Sequence, residues 1–237
     1  MYLIAELCGQ HGGSIRRLEQ MALQAKMGGA NAVKVQLYDT YNMPGDNRKN
    51  WEYLNISFED LKRFKLFCDG LHIDLFSSVF DEERLEWCIK LDFQVMKVAS
   101  YVLQEWPDLA EKIVKTGKKT IVSLGMWDWE NLAPPFNAQN VEYLYCVSKY
   151  PGTLEDIRMP NFNTHSFFTG YSDHSPGISA TLYSITRGAT IIEKHFTTSK
   201  SLQKDTEKGH LCSMDYNELI AIRTFADDFK ILSSNYN

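Results

Sequence analysis

Two histidines, His174 and His195, stand at the ends of two largely apolar runs, Gly170-Tyr171-Ser172-Asp173-His174-Ser175 and Ile191-Ile192-Glu193-Lys194-His195-Phe196. Between the runs, residues 177–188 read as one helix whose apolar stripe is Ile178, Leu182 and Ile185. Strand, helix and strand in that order make a right-handed crossover between parallel neighbours. Neighbouring strands lie about 4.8 Å apart, so both imidazoles should emerge side by side, within reach of one ion. Paired imidazoles with carboxylates close by suit a divalent transition metal such as Mn, Fe, Co or Zn. Residue type alone equally permits two ordinary polar strand-end residues, so the pair gains meaning from what surrounds it.

Other apolar runs end in matching chemistry: Glu6, Lys34 with Gln36, Lys97 with Ser100, Ser123, Ser148, Ser172, and Glu193. Two lysines ending different buried strands need a charged partner, because an ammonium is costly away from water. An anion held between Lys34 and Lys97 is one solution. An internal pair of Lys34 with Glu6 is another, and both can hold. The hydroxyls of Ser100, Ser123, Ser148 and Ser172 are suitable donors to a phosphate or carboxylate.

Bringing these residues into one ring requires a scaffold, and the chain reads as a steady alternation. Strands are expected at 3–8, 32–36, 73–77, 95–99, 120–123 and 141–146, followed by the two histidine runs. Ser14 can cap a helix with Ile15, Leu18, Ala22 and Ala25 on its buried face, closed by Gly28-Gly29. Ser57-Phe58-Glu59-Asp60 resembles a capping box opening a helix that runs to Asp69-Gly70. Further helices start at Asp81, hold Pro107 in a first turn, cover 127–140 despite Pro134-Pro135, and close the chain from Met214 to Ser233. The polar segment 39–55 is long enough for a lid. Eight strands alternating with helices predict a single-domain α/β fold, a (β/α)8 TIM barrel over 1–237, with working residues at the carboxyl ends of its strands. A doubly wound open sheet is the rival pattern.

The totals fit one such domain. The chain has 237 residues, 44% hydrophobic and 13% aromatic, enough for a sizeable core. A formal charge of −5 provides no basic field, which argues against a nucleic-acid partner. No apolar run reaches membrane-spanning length, and Met1-Tyr2-Leu3-Ile4 lacks the basic lead of a signal peptide, so no membrane association is expected. Cys8, Cys68, Cys88, Cys146 and Cys212 are odd in number and form no C-x-x-C pair, which points to reduced thiols and a cytoplasmic location.

The chain resembles the N-acetylneuraminate (sialic acid) synthase family. The motifs that carry the resemblance are Ile4-Ala5-Glu6-Leu7-Cys8-Gly9-Gln10-His11-Gly12-Gly13, Ala32-Val33-Lys34-Val35-Gln36, Met96-Lys97-Val98-Ala99-Ser100, Val122-Ser123-Leu124-Gly125-Met126, Cys146-Val147-Ser148-Lys149-Tyr150-Pro151, and the two histidine runs. The resemblance implies condensation of phosphoenolpyruvate with N-acetylmannosamine or a related N-acetylated aldose, giving a nonulosonic acid and phosphate. It implies a divalent metal, typically Mn2+, with Mg2+, Co2+, Fe2+ or Zn2+ as alternatives, on His174 and His195. It assigns phosphoenolpyruvate to Lys34, Lys97, Ser100, Ser123 and Ser172, and places Glu6, Gln36 and Tyr150 around the sugar and the reaction centre. Glu193 is expected either to orient the attacking water or to fix a histidine tautomer.

Some positions depart from the family pattern. Val102 stands where many members have glutamate, Ser148 where some have asparagine, Cys8 where a glycine is usual, and Gln10 where an asparagine is usual. The stretch after the last strand is longer, and either Asp205 or Glu207 replaces the family aspartate there or that aspartate is missing. Cys8 has the spacing of a thiolate ligand in related barrels that act on sugar phosphates; packing as a small side chain is its other reading. The chain reads as the barrel alone, so a homodimer or a separately encoded antifreeze-like domain is the expected partner. An octulosonate-phosphate type of synthase, for which only Arg48 and Lys49 offer basic groups in the lid segment, and a non-catalytic barrel that binds an anion or a partner protein, are the alternatives.

Overall fold

The computed structural model describes residues 1–41, 48–163, 165–202 and 211–234. Eight parallel strands close into a barrel in chain order. They are β1 (Tyr2–Glu6), β2 (Ala32–Leu37), β3 (Asp74–Val79), β4 (Val95–Val98), β5 (Lys119–Ser123), β6 (Val141–Cys146), β7 (Phe168–Asp173) and β8 (Ile191–His195). β8 returns to pair with β1, which closes the ring and excludes the open sheet. One face of each strand fills the barrel and the other meets the outer layer, so the strands read as short apolar runs. Leu3, Ile4, Ala5, Val33 and Val35 have no solvent exposure.

The outer helices are α1 (Ile15–Met27), α2 (Phe58–Leu71), α3 (Glu82–Lys90), α4 (Ser100–Glu105), α5 (Pro107–Lys115), α6 (Ser179–Thr186) and α7 (Tyr216–Ser234). Their starts follow local chemistry. The Ser14 hydroxyl accepts from the Arg17 amide at 3.3 Å, Ser57 from Asp60 at 3.2 Å, and the Asp81 carboxylate from Arg84 at 2.8 Å. Pro107 occupies the first position of α5, where its missing N–H costs nothing. α2 runs on to Leu71 and ends at His72 in the left-handed conformation, φ 53°, not at Gly70. β1 stops at Glu6 rather than Cys8, because Cys8 has a φ of 33° that no strand accommodates.

Two corrections concern the outer layer. No helix forms over 127–140. Pro134-Pro135 removes two backbone donors there, and the segment covers the sheet with rings: Trp129 packs edge-on against Tyr145 and Phe168, at 5.8 and 5.5 Å between centroids. The connection from β6 to β7 holds one short 3-10 turn, Leu154–Asp156, so two of the seven strand-to-strand crossovers carry no α-helix among the described residues. α6 buries Ala180, Thr181, Ser184 and Ile185, while Ile178 and Leu182 are half-buried; the hydroxyl of Thr181 faces the sheet because a buried carboxylate, Asp173, lies there.

Register places the chemistry. Residues paired across parallel strands present their side chains to the same face. Glu6 pairs with Lys34 on one side and with His195 on the other. Gln36 pairs with Ser78, and Ser78 with Lys97. Ser172 pairs with Glu193, one step before Asp173 and Lys194. These rungs deliver the polar side chains to the carboxyl end of the barrel.

Candidate active site

A cavity of about 40 Å³ opens at that end, lined by Glu6, Lys34, Gln36, Ser78, Lys97, Ala99, Ser100, Ser123, Tyr150, Ser172, His174, Glu193 and His195. Lys34 forms a direct ion pair with Glu6, both nearly inaccessible to water. Glu193 lies between the two lysines, 3.8 Å from the Lys34 ammonium and 3.6 Å from that of Lys97. Lys97 donates to the Ser123 hydroxyl at 2.7 Å and Lys34 to that of Ser78 at 3.1 Å. Ser172 donates to Glu193 at 3.0 Å. Ser100 accepts from the Gly125 amide at 3.0 Å. Lys34 thus has its expected internal partner, Glu6, and the two ammoniums share one cavity with Glu193 between them.

Burial drives the Lys34 ammonium down to about 7 against the pull of Glu193, with the positive charge of Lys97 adding to the fall. For Glu193 burial works upward, but Lys34, Lys97 and the Ser172 bond together hold it below the usual carboxylate range. One Glu193 oxygen, Oε2, lacks a hydrogen-bond partner. Buried carboxylates are normally satisfied, so this atom marks a place where polar contact is still to be made.

The imidazoles of His174 and His195 stand 5.8 Å apart between centroids, tilted by 54°. Val147 contributes its carbonyl to His174 Nδ1 at 2.7 Å, which fixes that nitrogen as the protonated one and leaves the lone pair on Nε2. Burial lowers His174 to about 4, so the ring is neutral at neutral pH. Gln10 lies 3.4 Å from His195 Nδ1 and donates to the Ser213 hydroxyl at 2.9 Å. The Tyr150 ring covers both histidines, 4.3 Å from His174 and 6.1 Å from His195, and is itself 40% exposed at the mouth.

The donor set fits a divalent ion in chemistry and charge. Two imidazoles face one cavity, that of His174 neutral, and two ammoniums there are matched by two carboxylates. Among the described residues no group of three His, Cys, Asp or Glu is arranged around a metal, so the two imidazoles leave room for ligands from solvent or substrate. Cys8 does not join His174 and His195 in such a group. Its amide instead donates to Glu6 at 2.7 Å, and its positive φ explains why glycine suits the position.

Most of the site residues named from sequence come together in this cavity; three need comment. Ser148 is not among the lining residues: the chain leaves β6 at Cys146, and by Ser148 it is exposed, with its hydroxyl packed against Gly125. Glu193 does not hold the tautomer of His174, a task the Val147 carbonyl performs. Asp205 and Glu207, and the side chains of Arg48 and Lys49, lie outside the described residues. Sequence reasoning missed Ser78, which follows from parity: it sits two residues beyond Phe76, the partner of Lys34, on the same face of β3. Gln10 carried no signal beyond its place in a motif.

The NeuB family model matches residues 21–233. The chain belongs to the NeuB family. An uncharacterized protein of Methanocaldococcus jannaschii is 34% identical over 215 residues, covering 85% of this chain and 64% of that protein. The N,N'-diacetyllegionaminic acid synthase of Legionella pneumophila is 28% identical, covering 92% of this chain and 69% of its own length. This member of the NeuB family therefore spans about two thirds of such relatives. Among solved structures, the N-acetylneuraminic acid synthetase of Leptospira borgpetersenii superposes with a TM-score of 0.85 at 27% identity, over 98% of this chain and 84% of that one.

Proposed function

We propose that this chain condenses phosphoenolpyruvate with an N-acetylated aldose to give a nonulosonic acid and inorganic phosphate. One observation carries the reading: lysines of β2 and β4, a histidine just beyond β7 and another ending β8 line a single cavity, with serine hydroxyls between them. The legionaminic and neuraminic acid synthases to which the chain is similar make sugar acids of this class.

In this reading Lys34, Lys97, Ser100, Ser123 and Ser172 hold the phosphate and carboxylate of the enol phosphate. Their contribution is positioning and charge complementarity. Glu193 already bridges the two lysines, so an arriving anion competes with it for them. C3 of phosphoenolpyruvate bonds to the aldehyde carbon, whose oxygen takes up a proton. Water adds to C2, and the C2–O bond to phosphate then breaks, leaving a ketone. Glu6 and Glu193 are the carboxylates within reach to orient that water and receive its proton. Gln36 and Tyr150 line the sugar side. A divalent cation on His174 and His195, Mn2+ first among candidates, would act as a Lewis acid at the aldehyde oxygen. It would also offset the charge of a substrate that two already paired ammoniums cannot balance alone.

The test is phosphate release from phosphoenolpyruvate by purified protein with Mn2+ and a panel of aldoses. Release with N-acetylated hexoses, abolished by a chelator, is the expected result. Release with phosphosugars alone would overturn the choice of acceptor, and no release with any aldose would overturn the reaction.

A further inference from the structure

On the outer face of the same two strands lies a second charged pair that the chemistry does not use. Asp173 and Lys194 alternate with the cavity-facing residues, Asp173 between Ser172 and His174, Lys194 between Glu193 and His195. Their side chains meet at 3.0 Å with no exposure to solvent. Charges buried this deeply are costly unless their polar atoms are matched; the Tyr171 hydroxyl donates to Asp173 at 3.2 Å, and several other partners flank one histidine. One Asp173 oxygen accepts from both the amide and the hydroxyl of Ser175, at 2.8 and 2.7 Å, so the carboxylate brackets His174 from either side. The other accepts from Thr181 of α6 at 2.6 Å. Lys194 donates a further bond to the Ser175 carbonyl at 2.7 Å.

This pair is also the last rung of the β7–β8 ladder. One residue later the chains part: the His174 carbonyl accepts from Gly152, at 2.8 Å, and the His195 carbonyl from Met214, at 2.7 Å. Nothing in the ladder beyond this rung ties the two histidine backbones to each other.

We propose that Asp173 and Lys194 are positioning residues: from outside the barrel their ion pair fixes the separation of His174 and His195, and so sets the affinity of the metal centre. The inference rests on the metal reading of the two histidines. A purely structural pair would contribute to stability and leave the affinity of the folded protein untouched.

The experiment is titration of the purified chain with Mn2+ alone, read by calorimetry or by the electron-spin signal of free Mn2+, at a temperature where circular dichroism shows each variant fully folded. Single changes such as D173N leave a lone buried charge and risk unfolding. Two neutral double variants avoid this: D173L/K194M removes the bracket around His174, and D173N/K194M keeps an acceptor for Ser175. Outer-sphere changes at metal sites weaken affinity by about 10–100-fold, and D173L/K194M is expected in that range, with D173N/K194M weakened less. If both double variants fold and bind Mn2+ as tightly as the wild type while H174A does not, the inference fails and the metal site stands. If H174A also binds like the wild type, the metal site and the inference fail together.

Discussion

Lys34 couples stability to binding within one side chain. Its ammonium answers Glu6 directly and Glu193 at longer range. Lys34→Met therefore leaves two buried carboxylates short of a partner, and breaking a buried pair from one side costs about 3–5 kcal/mol. Chemical denaturation should show that loss, and calorimetry should show phosphoenolpyruvate binding abolished. Ser123→Ala removes the acceptor of the Lys97 bond; hydrogen bonds to charged groups are worth about 1.5–3 kcal/mol, so KM for phosphoenolpyruvate should rise about tenfold or more. Ser148→Ala, outside the cavity, should change it by less than about twofold, within the range of surface changes. His174 titrates in the folded chain at about 4, below its unfolded value near 6.5. The unfolded chain therefore binds more protons between these values, and stability falls as pH drops through that window, by about 3 kcal/mol. Denaturation midpoints followed from pH 7 to pH 4 without metal should show the slope, and His174→Asn should flatten it. The lysines were legible because an ammonium ending a buried run demands a charged partner, and the histidines because they end two neighbouring apolar runs. Ser78 was not, since serine is unremarkable and β3 extends to Val79, beyond its expected end at Ser77.

At the scale of elements, the contact between β7 and β8 decides how the histidines are presented. Gly170 pairs with Ile191, and a Cβ on it would stand 2.0 Å from the Ile191 carbonyl oxygen, a backbone atom that cannot rotate away. Gly170→Ala should therefore push the strands apart. Overpacking costs about 1–3 kcal/mol and occasionally more, and the upper end is expected, with weaker Mn2+ binding accompanying a lower melting temperature. The strands were readable from sequence because a buried parallel strand is a short apolar run bounded by turns. The helices were readable where a capping residue opened them, as at Ser14, Ser57 and Asp81. Segment 127–140 failed that test: Trp127, Trp129 and Phe136 are irregularly spaced and pack against the core as individual rings rather than as a helix face. The short turn after β6 belongs to the same thinning of the wall, which periodicity alone does not reveal.

For the whole molecule, closure of the barrel brings together groups that lie far apart in the chain. Glu6 of the first strand meets Lys34 on one side and stands level with His195 of the last on the other. The resulting cavity holds two ammoniums against two carboxylates, with a neutral His174, so a multiply charged anion and a divalent cation should bind cooperatively, each offsetting the other's charge. Among the described residues no helix is long and apolar enough to cross a membrane. If the lysines and the histidines serve one shared site, phosphorus NMR of phosphoenolpyruvate with the protein and Mn2+ will show it. Strong paramagnetic broadening of the phosphate resonance is expected, requiring the protein and lost in both H174A/H195A and K34M/K97M. Broadening no greater than Mn2+ produces in free solution, or broadening that survives either double variant, would contradict it.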